Sequence, residues 1–516
     1  ALMAQGDVAI GAAKLEAAIK LAPEEDKPQL ALFLGMLNSG DKEKALFSAQ
    51  QWLVNKPQSS SAAIALGWAL LANEQEVAAK SAFEKVLVLS PGNPSATRNL
   101  AVMAIREGDI NKAISYFQNS LKLHPTHMAI GTSLAKLYTL SGQQKEAVAL
   151  LDTLWSSNPE HSETAVMLGQ ALLRTGDAQR AQQILAESLK AQPENTGLLL
   201  TLGTAQAENG NYSQAVDTFK QLVDRQGSSA RNYYLLAQAH YKSGDRKGFA
   251  RALEKSYRLN PNALEPQIAM VGLMVEQKKY SRAQSIVDDL LLKFPKNVDA
   301  YLQSARLLSA KGELDGGIKA YQDAHRLAPE RSDIVVKLAM AQWQAGEQDA
   351  AILTMEIWLK KTPGNRVAAY NLANFYLLGG RKKEARSAFA DILTTNPDHV
   401  LALNNLASLL RNSDLSQALK YAERAYKLAP QVPAVADTLA MALLAGEGQE
   451  KRAIRLLETA VKQAPRNAEI SYNFAWALVK VGQKERAKVL LKSLADSEGD
   501  FPQKEQAKQL LTDLER

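Results

Sequence analysis

Proline placement decides what this chain can be. Pro23, Pro57, Pro91, Pro125, Pro159, Pro193, Pro261, Pro295, Pro329, Pro363 and Pro397 all fall at 23 + 34k, and the one vacant place holds Gly227. Pro430 and Pro465 continue the series across a one-residue deletion near Ser413-Asp414 and a matching insertion near Gly446-Glu447. A proline lacks the N–H that a helix passing through it would need, so helices stop there. A stop repeated every 34 residues leaves room only for short elements of fixed length. Between Arg366 and Pro397 the apolar residues form two helical stripes: Leu372, Ala373 and Tyr376, then Ala385, Phe389 and Ile392, with Gly379-Gly380 between them. That pattern predicts two antiparallel helices joined by a tight turn. Ala373 and Ala385 are predicted at the crossing, where a larger side chain would push the axes beyond the usual ~8–10 Å.

A pair this small cannot bury its own apolar faces, so successive pairs must stack on one another. The 516 residues therefore divide into a partial unit (1–25), a stack of about fourteen units (26–499) and a final amphipathic helix (500–516) that caps the last apolar face. In that helix Gln503, Lys504, Glu505 and Lys508 are expected to face outward. Turns are marked by pairs such as Gly40-Asp41, Gly108-Asp109, Gly176-Asp177, Gly210-Asn211 and Gly244-Asp245, the glycine closing the first helix and the Asp or Asn capping the second. Around 227 the sequence is irregular: Gly227-Ser228-Ser229 replaces the proline, and Phe249 stands where a small residue is expected. Trp52 and Trp358 read as core, and the tyrosines Tyr233, Tyr234 and Tyr241 with Gln238 form a further aromatic cluster.

Composition removes several function classes. Net charge is +7, with Lys and Arg interleaved among Asp and Glu, as on solvated helix faces rather than in a nucleic-acid tract. Without cysteine there is no disulfide, thiol nucleophile or thiolate metal site. The six histidines (His124, His127, His161, His240, His325, His399) fall mostly at turns and helix ends, His124-Pro-Thr-His127 lacks a carboxylate pair beside it, and Gly35 to Gly40 is followed by Asp41 where a phosphate-cradling loop needs lysine. No enzyme chemistry, cofactor or metal is expected. The longest apolar stretch, Ser61 to Ala72, is too short to span a bilayer, which takes ~20 residues. The opening Ala1-Leu2-Met3-Ala4-Gln5-Gly6 aligns about nine residues into a unit, so the expectation is that the start, with any targeting or lipid-anchoring segment, is missing.

At this period, with a Leu-Gly/Ala, aromatic, Gly, Ala, Phe, Pro order, the chain resembles the tetratricopeptide repeat family. Leu66-Gly67, Ala79, Phe83 and Pro91 carry the match, as do Leu100-Ala101, Gly108, Ala113, Phe117 and Pro125. The resemblance implies an all-α, right-handed superhelical solenoid whose first helices line a concave wall, with unit positions 5, 6, 9 and 12 facing a ligand. Near the C-terminal end those positions hold Tyr370, Asn371 and Asn374; Asn404, Asn405 and Arg411; Asp437 and Met441; and Tyr472, Asn473 and Trp476. Asn371, Asn405 and Asn473 share one position, and a ladder of carboxamides can both donate to and accept from an extended peptide. Aromatic faces beside carboxamides suit a polysaccharide equally well. The two-carboxylate clamp of chaperone-binding members is not matched, because Thr438 and Ala434 stand at its third-unit places.

The C-terminal part goes further. Val432-Pro433-Ala434-Val435-Ala436-Asp437-Thr438-Leu439-Ala440, then Leu456-Leu457-Glu458 with Ala460 and Pro465, Ile470 to Ala475, and Asp500-Phe501-Pro502 resemble the end of bacterial tetratricopeptide lipoproteins of exosortase and PEP-CTERM protein-sorting systems, the PrsT family. Ala440-Met441 and Asn473-Phe474 depart from that family's pattern. The resemblance implies a periplasmic or envelope-associated scaffold, membrane-bound only through an absent N-terminal segment, acting in protein sorting or exopolysaccharide assembly. Periplasmic scaffolds of alginate and cellulose secretion are the neighbouring reading. The substrate-selecting region of a larger enzyme such as a sugar transferase, in the cytoplasm or elsewhere, is the remaining one.

Overall fold

The computed structural model describes residues 8–227, 229–497 and 501–516, with side chains from residue 11. The expectations placed on Ala1–Gly6, Ser228, Gly499 and Asp500 lie outside these residues. The described residues form thirty helices and no strand. Val8–Leu21 is the second helix of the partial unit, fourteen antiparallel pairs run from Asp26–Asn38 to Lys484–Ala495, and Lys504–Glu515 closes the series. The chain is an all-α solenoid of stacked pairs, as its period requires. Contacts group it into two compact units, residues 1–266 and 267–516.

Within each pair, spacing is set by small residues. Ala373 and Ala385 are wholly buried and pack with Phe389 and Ile392. At Gly67 an added Cβ would lie 2.6 Å from the Phe83 ring, and at Gly203 2.5 Å from that of Phe219. Both phenylalanines are fully buried, so each ring takes the volume that its glycine leaves free. Trp52 and Trp358 are core, and Trp358 Nε1–H donates to the Pro329 carbonyl at 3.2 Å, tying one unit to the next. Within a pair, Ser256 on the second helix donates to Ala230 O at the start of the first, and Ser120 donates to Gly92 O in the connection leading into its own pair, each at 2.7 Å. Ion pairs such as Arg180–Asp152 (2.6 Å) and Lys80–Glu107 (2.7 Å) also bridge successive units. In solvent, pairs of this kind contribute only about 0–1 kcal/mol, so burial holds the stack.

Helix ends follow the repeat. The residue two places after the proline caps the next first helix: Asn93, Asn195, Asn297, Asn365 and Asn467 each accept from backbone N–H groups, and His127, His161 and His399 do so through Nδ1. Half of the histidines are thus caps. At the intra-pair turn, Asp109, Asp177 and Asp245 cap the second helix as expected. Asp41 and Asn211 do not: Asp41 pairs with Lys44, and Asn211 Nδ2–H donates to Gln182 Oε1 at 2.8 Å instead. Phe249 fits its small-residue place by turning its ring edge to Tyr241, centroids 5.2 Å apart, in a unit where His240 and Asp245 also pair at 2.9 Å.

The turn position 40 + 34k is left-handed at thirteen of its fourteen places, and glycine fills eleven of them. Glu74 (φ 61°) and Lys278 (φ 56°) are the other two. A residue with a Cβ costs roughly 1–2 kcal/mol in this conformation. Glu74→Gly and Lys278→Gly should therefore each raise the urea midpoint, by an amount equivalent to about 1 kcal/mol; a lowered midpoint in either variant would contradict the assignment. The fourteenth place, Asp414, lies in the slipped unit and has φ −152°.

Candidate functional site: a groove across the last repeats

The one-residue deletion near Ser413-Asp414 reshapes the turn in which it falls. The first helix of that unit, Val400–Leu410, has 11 residues where most others have 13, and Arg411 stays right-handed at its end. Ser413 and Asp414 N–H both donate to Leu410 O, at 2.9 and 2.7 Å, which closes the turn without a left-handed residue. Arg411, Asn412 and Ser413 consequently form one wall of a groove of about 680 Å³. Beyond them the lining runs through Asp437, Thr438 and Met441, then Glu469, Ile470 and Asn473, to Gln503. That volume lies in the ~300–1,000 Å³ range of ordinary ligand sites.

Six of the eleven residues singled out from the sequence line this groove: Asn404, Asn405, Arg411, Asp437, Met441 and Asn473. The other five lie outside its lining. Tyr370 sets its ring against Phe389 and His399, with centroids 5.9 and 5.2 Å away. Tyr472 packs into the cluster that seats the final helix, and Trp476 packs at the edge of the preceding core with Lys480 Nζ 5.5 Å from its ring centre. Asn371 donates to Val367 O on its own helix at 2.8 Å. Asn374 Oδ1 accepts from Asn405 Nδ2–H at 3.2 Å. Asn371 thus turns to its own helix, Asn405 to Asn374 and Asn473 to Asp437, separate contacts rather than one continuous ladder.

Asp437 is the unusual group. Both its oxygens accept from Asn473 Nδ2–H, at 3.1 and 3.0 Å, and no cation among the described residues pairs with it. Burial pushes its carboxyl up to about 7; Asn473 and the more distant Arg411 pull it down, while Glu469 raises it further. Lys382, Ser408, Asn412, Glu469 and Gln503 also line the groove and were not found by position counting. The deletion itself was the available signal for Asn412, since a missing residue changes which side chains a turn presents. For Gln503 the outward assignment is corrected: its Nε2–H donates to Glu469 Oε1 at 3.4 Å, and its Oε1 is buried. Lys504 likewise turns back, donating to Ser497 O at 2.9 Å, while Glu505 and Lys508 are exposed and pair with each other. The tie arises because the final helix buries Ala507 against Ala475, Leu491 and Leu494, which carries the segment before it to the groove's end.

Family models described as tetratricopeptide repeat match residues 64–127, 104–171, 141–206, 172–239, 230–263, 274–332, 302–366, 336–398, 370–433 and 444–514. This is a tetratricopeptide repeat protein. It is 30% identical over 125 residues to tetratricopeptide repeat protein 21A of Mus musculus, covering 24% of this chain and 10% of that protein. It is 26% identical over 247 residues to cellulose synthase operon protein C of Pseudomonas fluorescens (strain SBW25), covering 44% and 19%. The chain thus spans a fifth or less of either relative. Among solved structures, Naa15/Naa10 bound to HypK-THB aligns over 99% of this chain and 95% of that one, at 16% identity and a TM-score of 0.40. Among the described residues no helix is long and apolar enough to cross a membrane.

The Asp437 environment has a stability signature. Its carboxyl ionises near 4 in the unfolded chain and at about 7 in the folded one, so the folded state holds more protons between those values. Folding stability of the last repeats should accordingly fall as pH rises from 4 to 7 and stay low above it. Asp437→Asn keeps the shape and removes the ionisation. It should raise the unfolding free energy at pH 8, by at most about 4 kcal/mol, and flatten its pH dependence; wild-type and variant curves that run parallel from pH 4 to 8 would contradict this.

Proposed function

We propose that the protein is a non-catalytic scaffold that holds an extended polypeptide segment in the groove between Lys382 and Gln503. The observation that carries the reading is the lining: three successive first helices and the capping segment present amides, hydroxyls and charges to one open channel. Pairing such as Asn405–Asn374 leaves each amide with unused donor or acceptor capacity, which suits a ligand whose own backbone repeats both. Tetratricopeptide repeats generally act as binding scaffolds, and groove capture needs no reacting group. On this reading the protein works in the bacterial envelope, in protein sorting or exopolysaccharide assembly. The PrsT-like residues from Val432 to Pro502 support that placement, as does the similarity to cellulose synthase operon protein C. A signal peptide and lipid-accepting cysteine encoded ahead of Ala1 would support it further, and a catalytic domain there would overturn it.

The cellulose-operon similarity also favours a second reading, in which the groove holds a polysaccharide. The two separate by cross-linking. A photoreactive p-benzoylphenylalanine placed at Ser408, which lines the groove and is exposed, should capture polypeptide from an envelope extract, whereas the same group at Leu353, exposed on a second helix, should not. Glycan adducts alone at Ser408 would favour the polysaccharide, and equal capture at both positions would remove the groove from the account.

A further inference from the structure

Resting on the reading of the groove as a peptide site, we propose that its capped end takes a positively charged side chain of the bound segment, a lysine ammonium or an arginine guanidinium, held by Asp437 and Glu469 with the amide oxygen of Gln503. The groups at this end accept far more than they donate. Gln503 Oε1 at this end, like Asn404 Oδ1 farther along the groove, is buried without a hydrogen-bond partner among the described residues. An acceptor left so costs ~1–3 kcal/mol and is relieved by an incoming donor. Asp437 is met only by the neutral amide of Asn473, and Glu469 only by that of Gln503; neither has an ion pair among the described residues. Ammonium and guanidinium groups bring several donors and no acceptor, the complement of this set.

Charge is ordered along the channel. Lys382 and Arg411 belong to the earlier units, while Asp437 and Glu469 belong to the later ones next to the cap. Of the helices around Asp437, Val400–Leu410 ends on Arg411 and Ala468–Lys480 brings Glu469; these are the charges that act on it. A bound segment with its cation toward the cap follows this polarity, and the reverse orientation would set its cation beside Arg411. Among the described residues no aromatic ring lines the groove, so they offer no stacking face on which a sugar ring would lie. Asp437 becomes a full charge only above about pH 7, which makes occupancy by a cation tighter in alkaline solution.

The test pans a random dodecapeptide display library against the wild-type chain at pH 8.0, then synthesises the enriched sequence N-acetylated, so that any cation is a side chain. We expect Lys or Arg at one fixed position of the enriched motif. Its replacement by Gln should weaken binding about ten-fold, and lowering the pH to 6.0 should do the same, since a carboxyl ionising at about 7 changes its charged fraction by that factor. Asp437→Asn and Glu469→Gln, each checked for unchanged helicity, should lose the preference for the cation while keeping residual peptide affinity. Enriched peptides without a fixed cation, or with affinity that neither variant alters, would overturn the cation site and leave the peptide groove standing. Binding seen only with a free N-terminus would overturn the side-chain assignment. No enriched peptide, with oligosaccharides retained instead, would overturn both readings.

Discussion

The structure depends on one steric bargain, in most pairs a glycine or alanine on the first helix against a large apolar ring or branched chain on the second, and in the first pair the reverse, Phe33 against Ala45 and Ala49. Gly67 against Phe83 and Gly203 against Phe219 leave no room for a further carbon, and Ala373 beside Phe389 repeats the arrangement with one methyl group. This contact fixes how closely two helices approach, and so which side chains remain uncovered for the next pair. No pair encloses its core. Trp358 hydrogen-bonds to the Pro329 carbonyl of the preceding connection and Lys80 pairs with Glu107 of the next unit, so polar ties also run from unit to unit. Stability in such an array is a sum of neighbour contacts rather than the property of a centre.

A periodic frame of this kind makes departures informative. Losing one residue near Ser413-Asp414 shortens a helix, removes a left-handed turn and sets Arg411, Asn412 and Ser413 along a groove. The insertion at Gly446-Glu447 restores the frame, and Lys480 then reaches the Leu444 carbonyl across the next interface. Deletion and insertion bracket the helix that carries Asp437, Pro433–Ala445, with the second helix before it. An irregularity confined to two successive units is thus where the chain becomes chemically distinctive, which is a physical reason to place function there.

Much of the fold was legible because it is written in local terms. Prolines end helices, glycines close turns, and small residues mark crossings, all within one 34-residue window. The positions of the helices, the core role of Trp52 and Trp358, and the family follow from that. The groove was legible in part. Counting positions on first helices reached Asn404, Asn405, Arg411, Asp437, Met441 and Asn473, since these share one helix face. It did not separate them from Tyr370, Tyr472 and Trp476, which have the same spacing but turn into interfaces with neighbouring helices. It also missed Gln503, because an amphipathic pattern gives the face of a helix and not the path of the segment that leads into it. Asp437 drew attention as a position, yet its burial depends on three separate helices, and no local pattern encodes that.

The central claim is that each pair is held by its neighbours, with the final helix closing the last of them and the end of the groove. Amide hydrogen exchange on the chain truncated after Asp496 tests it most directly. Faster exchange is expected in Lys484–Ala495 and Ala468–Lys480, declining over the one or two units before them, with protection from Ser332 to Leu378 unchanged. Loss of protection throughout residues 267–496, or no change next to the missing helix, would contradict a structure built from neighbour contacts.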